Sequence, residues 1–293
     1  MNGRFTAIPY LFLAPAIGLL LVFFMLPVGA AFILSFTDFD LYAMGDPTAW
    51  RWIGADNYLK LIGDPVVLQA FKNTAYFVLV ATPLSVGASL VAALALDAKM
   101  VRFKSLIRLG FFAPVVTTLV AVAVVWRYLY HPTYGLLNWA LSLVGVSPID
   151  WLGNPNWAMP ALIMMAVWKN FGYNMLIYLA GLQNVPAELR EAARLDGAGV
   201  WAEFRHITVP NLMPTTNFIV VMTIIGYCQF FAEPYVMTNG GPLNQTLSVV
   251  LLMYREGFRF WRLGYAAALA FVLFAVVLAI SSLSIVLRRK EAK

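Results

Sequence analysis

NVPAELREAARLDGAGVWAEFRHITVPNLMP, residues 184–214, is the one long polar stretch in an otherwise apolar chain. Pro186 stands where a first helical turn tolerates a missing N–H. Glu188 and Glu191 follow in that turn, at the positive end of the helix dipole. Arg194, three residues after Glu191, shares its face. Gly197 and Gly199 then break the helix, and a second short helix is expected over roughly 200–208, running up to Pro210. Two short helices around a glycine turn, flanked by long apolar segments, form a knob suited to the grip of another protein.

The flanks decide the fold class. Of 293 residues, 61% are hydrophobic and only 12% charged, with a mean hydropathy of +0.77; soluble chains carry about 25% charged residues. Apolar runs that reach the ~20 residues needed to cross a bilayer recur along the chain. They are expected at about 9–34, 73–96, 109–130, 158–182, 212–231 and 263–287. Backbone groups in lipid must be satisfied within the segment, so these runs should be helices. The expectation is an all-α integral membrane protein with six transmembrane helices in a single domain, residues 1–293. The first run is longer than the ~7–15 residues of a signal peptide's apolar region, and it is read as a retained anchor.

Charge sets the orientation. Arg4, the group Lys99, Arg102, Lys104 and Arg108, the trio Arg190, Arg194 and Arg205, and the tail Arg288, Arg289 and Lys290 fall on one side. The segment 38–71 sets Asp38, Asp40, Asp46, Asp56 and Asp64 against Arg51 and Lys60, and 131–156 has no Lys or Arg. Both termini and the 184–211 loop are therefore expected in the cytoplasm, although Arg255, Arg259 and Arg262 run against the bias. Trp151 and Trp157 read as membrane-interface residues, 240–242 as a Gly-Gly-Pro turn, and 247–258 as an interfacial helix. The net charge of +6 would suggest nucleic acid in a soluble protein. Here it is spent on orientation, so the expected surroundings are membrane lipid, with no nucleic-acid partner.

Polar side chains inside spans are costly and point to function. The fourth span carries Trp168, Lys169, Asn170, Tyr173 and Asn174; the fifth carries Thr223, Tyr227, Gln229 and Phe230, with Glu233 near its outer end. Rings that stack on the C–H faces of a sugar, beside amides and hydroxyls that replace its water, make a suitable lining. The same groups also serve as hydrogen bonds between packed spans. Lys169 has three readings: partner of an anionic group such as a phosphate, ligand of carbonyls at a helix break, or counter-ion of Glu233.

Other chemistry is poorly supplied. No G-x-x-x-x-G-K-[ST] loop occurs, so this chain does not take ATP by that route. His131 and His206 lack metal-ligand neighbours, and the single cysteine, Cys228, has no companion. No bound cofactor, metal site or catalytic residue is expected. An ion-driven secondary transporter, the competing reading, needs a carboxylate in mid-membrane, and none lies well inside a span.

The loop also carries a resemblance. Glu191-Ala192-Ala193, then Gly197, then Ile207-Thr208-Val209-Pro210 is similar to the cytoplasmic coupling loop of permease subunits in binding-protein-dependent ABC importers, with Val209 in place of the usual Leu. Residues 168–199 resemble the sugar and glycerol-3-phosphate (maltose-type) branch, and the likeness extends to LFLAPAIGLLLVFFMLPVG early and YVMTNGGP late. The resemblance implies the type I importer architecture, a second homologous permease, two ATP-binding subunits that hold the ATP and Mg, an external solute-binding protein, and a bacterial or archaeal cytoplasmic membrane. It implies that Glu188, Glu191, Ala192, Ala193, Asp196, Gly197, Gly199, Ile207 and Pro210 couple to the ATPase. It further implies that Trp168, Asn170, Tyr173, Thr223, Tyr227 and Phe230 flank the substrate path for a sugar, polyol or glycerol phosphate; Lys169, Asn174 and Gln229 join them as candidates from the reading of polar residues within spans.

Overall fold

The computed structural model describes residues 8–40, 51–98 and 103–291. Arg4, Asp46, Lys99 and Arg102 lie outside the described residues, as do the side chains of Arg194, Arg288, Arg289 and Lys290. In chain order the helices are α1 (Ile8–Leu20), α2 (Leu26–Leu34), α3 (Asp56–Gly63), α4 (Pro65–Asp97), α5 (Lys104–Val116), α6 (Leu119–Leu129) and α7 (Leu136–Ser142). They continue as α8 (Pro155–Gln183), α9 (Ala187–Leu195), α10 (Val200–Glu203), α11 (Val209–Cys228), α12 (Ala232–Met237), α13 (Val249–Tyr254) and α14 (Leu263–Glu291). Among the described residues the only extended pairing is an isolated bridge between Thr37 and Trp52.

Among the described residues, four helices are long and apolar enough to cross a membrane: Tyr10–Leu34, Pro65–Asp97, Val200–Cys228 and Leu263–Ser282. The pair α5 and α6, bent by 100°, is together long and apolar enough as well, in the form of a broken span or a re-entrant loop. In addition α8, with 29 residues, extends about 43 Å at 1.5 Å per residue, and its apolarity is diluted in the middle by Trp168 through Asn170, Tyr173 and Asn174. The all-α membrane architecture expected from the sequence is the one observed, with four membrane-length apolar helices among the described residues, five when the bent pair counts as one span.

Two of these helices contain a π turn, at Leu21–Met25 and at Phe204–Thr208. In both cases a proline, Pro27 or Pro210, stands two residues beyond the turn, in the first turn of the α-helix that follows. A proline donates no N–H and crowds the carbonyl four residues back; a one-residue widening of the ladder accommodates it without ending the helix.

Several expectations are corrected here. The span at 109–130 is not one helix: Pro114 weakens the end of α5, and Thr117 and Thr118 are extended between α5 and α6. The second loop helix does not stop at Pro210 but runs from Val200 through its π turn to Cys228, so the fifth span ends at 228 rather than 231. Trp151 is no interface residue; it is buried, and its indole N–H donates to Asn138 Oδ1 at 3.0 Å. The 247–258 segment is not an amphipathic surface helix, because Leu247, Val249 and Leu251 are fully buried.

The described chain forms two compact units, residues 1–67 with 252–276, and residues 68–251 with 277–293. In the first, Asn57 Nδ2 donates to the carbonyls of Ser35 at 2.9 Å and Thr37 at 2.8 Å, and Phe32 packs edge-on against Phe271. The second unit holds the larger core. Phe77 stacks on Phe230 with ring centroids 4.0 Å apart, above a buried layer that includes Trp126, Tyr130, Leu162 and Met165. A further cluster joins Met175, Tyr178 and Leu182 of α8 to Leu212 and Ile219 of α11.

Candidate coupling segment and transport site

The segment after α8 keeps the sequence's promise of two helices around a glycine. Asn184 closes α8, its N–H reaching the carbonyls of Gly181 and Leu182. After Pro186, α9 runs to Leu195. Its end is a Schellman closure: Gly197 takes φ +78°, and the Ala198 N–H returns to the Ala193 carbonyl at 2.9 Å. Only a residue without a Cβ takes that backbone without strain. Gly199 differs, with φ −73° and ψ 166° as the residue ahead of α10, and needs no glycine on conformational grounds.

What this segment presents is mixed. Glu188, Glu191, Ala192, Asp196, Gly197, Gly199 and Pro210 are exposed, and Ala193 and Ile207 are half-buried. Around them Leu195 is 89% exposed, Val200 87% and Trp201 72%. Large apolar groups beside carboxylates on a projecting element mark a surface made for contact. One residue that the sequence reading used only for orientation tethers the segment. Arg190 reaches Asp97 at the end of α4 (3.4 Å) and Glu203 in α10 (3.9 Å), so α4, α9 and α10 meet on one guanidinium.

The polar residues of α8 and α11 divide into two sets. Asn174, Thr223, Tyr227 and Phe230 are buried. Asn174 Nδ2 donates to Thr223 Oγ1 at 3.1 Å and lies 3.5 Å from Ser85 Oγ on α4. Tyr227 donates to the Ala166 carbonyl at 3.4 Å, with its ring edge-on to Phe77, and Ser85 and Asn170 flank its hydroxyl. These groups stitch α4, α8 and α11 together. The second set faces outward: Trp168 is 41% and Tyr173 47% exposed, Gln229 is exposed, and Asn170 is half-buried at the edge of the first set.

Lys169 stands apart from both. Its ammonium donates to the carbonyls of Pro114 at 2.9 Å, Val115 at 3.4 Å and Thr117 at 3.0 Å. Of its three readings the helix-break one is observed. Beside it, Thr117, Ala121, Val122, Val125, Trp126, Leu129 and Trp168 line an apolar hollow of about 350 Å³.

Sequence reasoning missed Ser85 and Ser89, both fully buried on α4; Ser89 donates to the Phe171 carbonyl at 3.0 Å. It also missed Gly172, where a Cβ would collide with the Phe111 carbonyl, so that α8 and α5 touch backbone to backbone. Small residues four apart on apolar helices were the available signal.

Comparison with known proteins places the chain. It belongs to the family of binding-protein-dependent transport system inner membrane components, whose model matches residues 5–291. It is a permease subunit of an ABC importer, a transport subunit rather than an enzyme, with the ATPase in a separate subunit. The lactose transport system permease protein LacF of Rhizobium radiobacter is 35% identical, over 96% of this chain and 94% of that one. The arabinooligosaccharides transport system permease protein AraP of Bacillus subtilis is also 35% identical, over 95% of this chain and 88% of that one. Among solved structures, a chain of a bacterial ABC transporter involved in the import of alginate has a TM-score of 0.82 at 24% identity, covering 98% of this chain and 96% of that one. That likeness concerns the fold.

Proposed function

We propose that this chain forms half of the translocation pathway of an ATP-driven importer for a sugar, or for a related polyol or glycerol phosphate. A second permease completes the pathway, an external solute-binding protein delivers the cargo, and two ATP-binding subunits drive it. The observation that carries this reading is the projecting pair α9 and α10. Exposed carboxylates and apolar side chains flank the left-handed Gly197, and both neighbours in sequence are membrane-length helices. The names of relatives that transport lactose and arabino-oligosaccharides support the sugar class.

In this reading α9 and α10 sit in a groove of an ATPase subunit, the small Ala192 and Ala193 allowing close approach and Glu191 meeting a cation there. The N- and C-termini lie in the cytoplasm. Closure of the ATPases draws the coupling segments together and rocks the spans between inward-facing and outward-facing states. Trp168, Asn170, Tyr173 and Gln229, which remain accessible on α8 and at the end of α11, line the path on this subunit's side. The buried residues Asn174, Thr223, Tyr227 and Phe230 shape it from behind.

The test is reconstitution. Co-expressed with its second permease and an ATPase subunit bearing a phosphate-binding loop, the chain should co-purify, and ATP hydrolysis should rise when the sugar-loaded binding protein is added. A chain that carries solute on an ion gradient, without any nucleotide-hydrolysing partner, would instead be a secondary transporter and would overturn the proposal.

A further inference from the structure

The break between α5 and α6 lies in a pair of helices that together have the length and apolarity of a membrane span, and carbonyls orphaned within lipid must find a partner in the protein. An α-helix that stops leaves its last four carbonyls without intrahelical partners. At the end of α5 most of these groups are accounted for. Thr117 Oγ1 donates to the Ala113 carbonyl at 3.1 Å. Lys169 covers Pro114 and Val115, and adds the carbonyl of Thr117 beyond the helix end. An ammonium has three protons, and these three contacts occupy them.

A further feature fixes Lys169 in that place. Gly172, one turn along α8, lets the backbones of α8 and α5 touch at Phe111, which sets the height at which Lys169 meets the break.

We infer that Lys169 is the positioning residue of the broken span: it pins the α5–α6 break through three main-chain carbonyls. The span is thereby held bent, and α6 with the Trp126–Trp168 hollow keeps one orientation through the transport cycle. A lysine so engaged has no proton left for a phosphate on the cargo. The inference rests on the chain being a transport subunit but not on the identity of its solute, and its readout requires neither cargo nor ATPase activity.

The experiment places spin labels at Leu109→Cys on α5 and Tyr128→Cys on α6, both exposed positions, with the buried Cys228 changed to Ser. Distances are read by electron–electron resonance on the full chain in the assembled transporter in nanodiscs. The parent should give one narrow distance. Lys169→Met should raise the population of a second distance by about tenfold or more, the factor expected for losing a charge-assisted hydrogen bond, and Lys169→Arg should restore the parent distribution. An unchanged distribution in Lys169→Met overturns the inference. Should Lys169→Met fail to accumulate, Lys169→Gln, whose amide keeps two donors for the carbonyls, is measured in its place, and an unchanged distribution there overturns the inference. Failure of Lys169→Arg alongside Lys169→Met overturns it.

Discussion

Asn174 of α8 and Thr223 of α11 meet at 3.1 Å, amide to hydroxyl, with both side chains buried. The contact belongs to the packing of this subunit. Polar pairs of this kind between membrane helices contribute about 0.6 kcal/mol on average, reaching roughly 1.7. Asn174→Leu and Thr223→Val should each lower thermal stability, and the double variant should lose less than the sum of the two. A cycle with no coupling would show the pair to be incidental. Transport at a permissive temperature should survive in Thr223→Val.

The outward-facing residues should behave in the opposite way. Asn170→Ala and Tyr173→Ala remove groups that the fold leaves accessible or half-accessible. They should abolish or strongly impair uptake while leaving assembly and basal ATP hydrolysis intact. Normal uptake in both variants would remove this face of α8 from the path.

Legibility in the sequence follows the same division. Apolar length reveals membrane-length helices well, because bilayer thickness acts on composition directly. The glycine-jointed segment at 184–211 was readable too, since a left-handed closure leaves a glycine behind. Direction within a helix was harder. Trp168, Tyr173, Asn174 and Thr223 look equivalent as polar residues in apolar helices, and only packing separates the accessible from the buried. The break at Thr117 and the continuity through Pro210 were misjudged because a proline's effect depends on what surrounds it. After Pro114 the helix ends, its terminal carbonyls taken by a lysine from another helix, whereas at Pro210 a π turn lets the helix continue.

Gly197 and Gly199 invite a paired test. At φ +78° a side chain at 197 costs about 1–2 kcal/mol in backbone strain, whereas 199 is extended and open. Gly197→Ala should loosen the coupling segment and reduce cargo-stimulated ATP hydrolysis well below that of Gly199→Ala, which should stay within about twofold of the parent, as expected of a substitution at an open surface site. Equal effects would place the role of this turn in contact rather than conformation.

Arg190 joins Asp97 to Glu203. Replacing it by Met should free α9 from α4 and α10, which limited proteolysis within residues 187–203 of the purified complex would register as faster cleavage. Because the guanidinium is only partly exposed, the loss should be about 1–2 kcal/mol, above that of a surface pair. Cleavage at the parental rate would contradict the tether.

Outside the spans, the Arg51 backbone N–H, 2.6 Å from Asp38 Oδ1, holds that carboxyl below the usual carboxylate range; burial opposes it and the Arg51 guanidinium adds to it. A lowered folded-state pKa stabilises above the unfolded value, about 3.9 for Asp, and the contribution is lost as pH falls through the folded value. The connection around Arg51 should therefore grow more sensitive to pepsin below about pH 4, and Asp38→Asn should remove that step. A parent protein with no acid step would refute the link.

The π turn at Phe204–Thr208 has a mechanical corollary. Because Val200–Cys228 is unbroken over 29 residues, a displacement at Trp201 meets no joint before Cys228. A push on Trp201 thus arrives some 40 Å away, at 1.5 Å per residue, as the swing of a single rod.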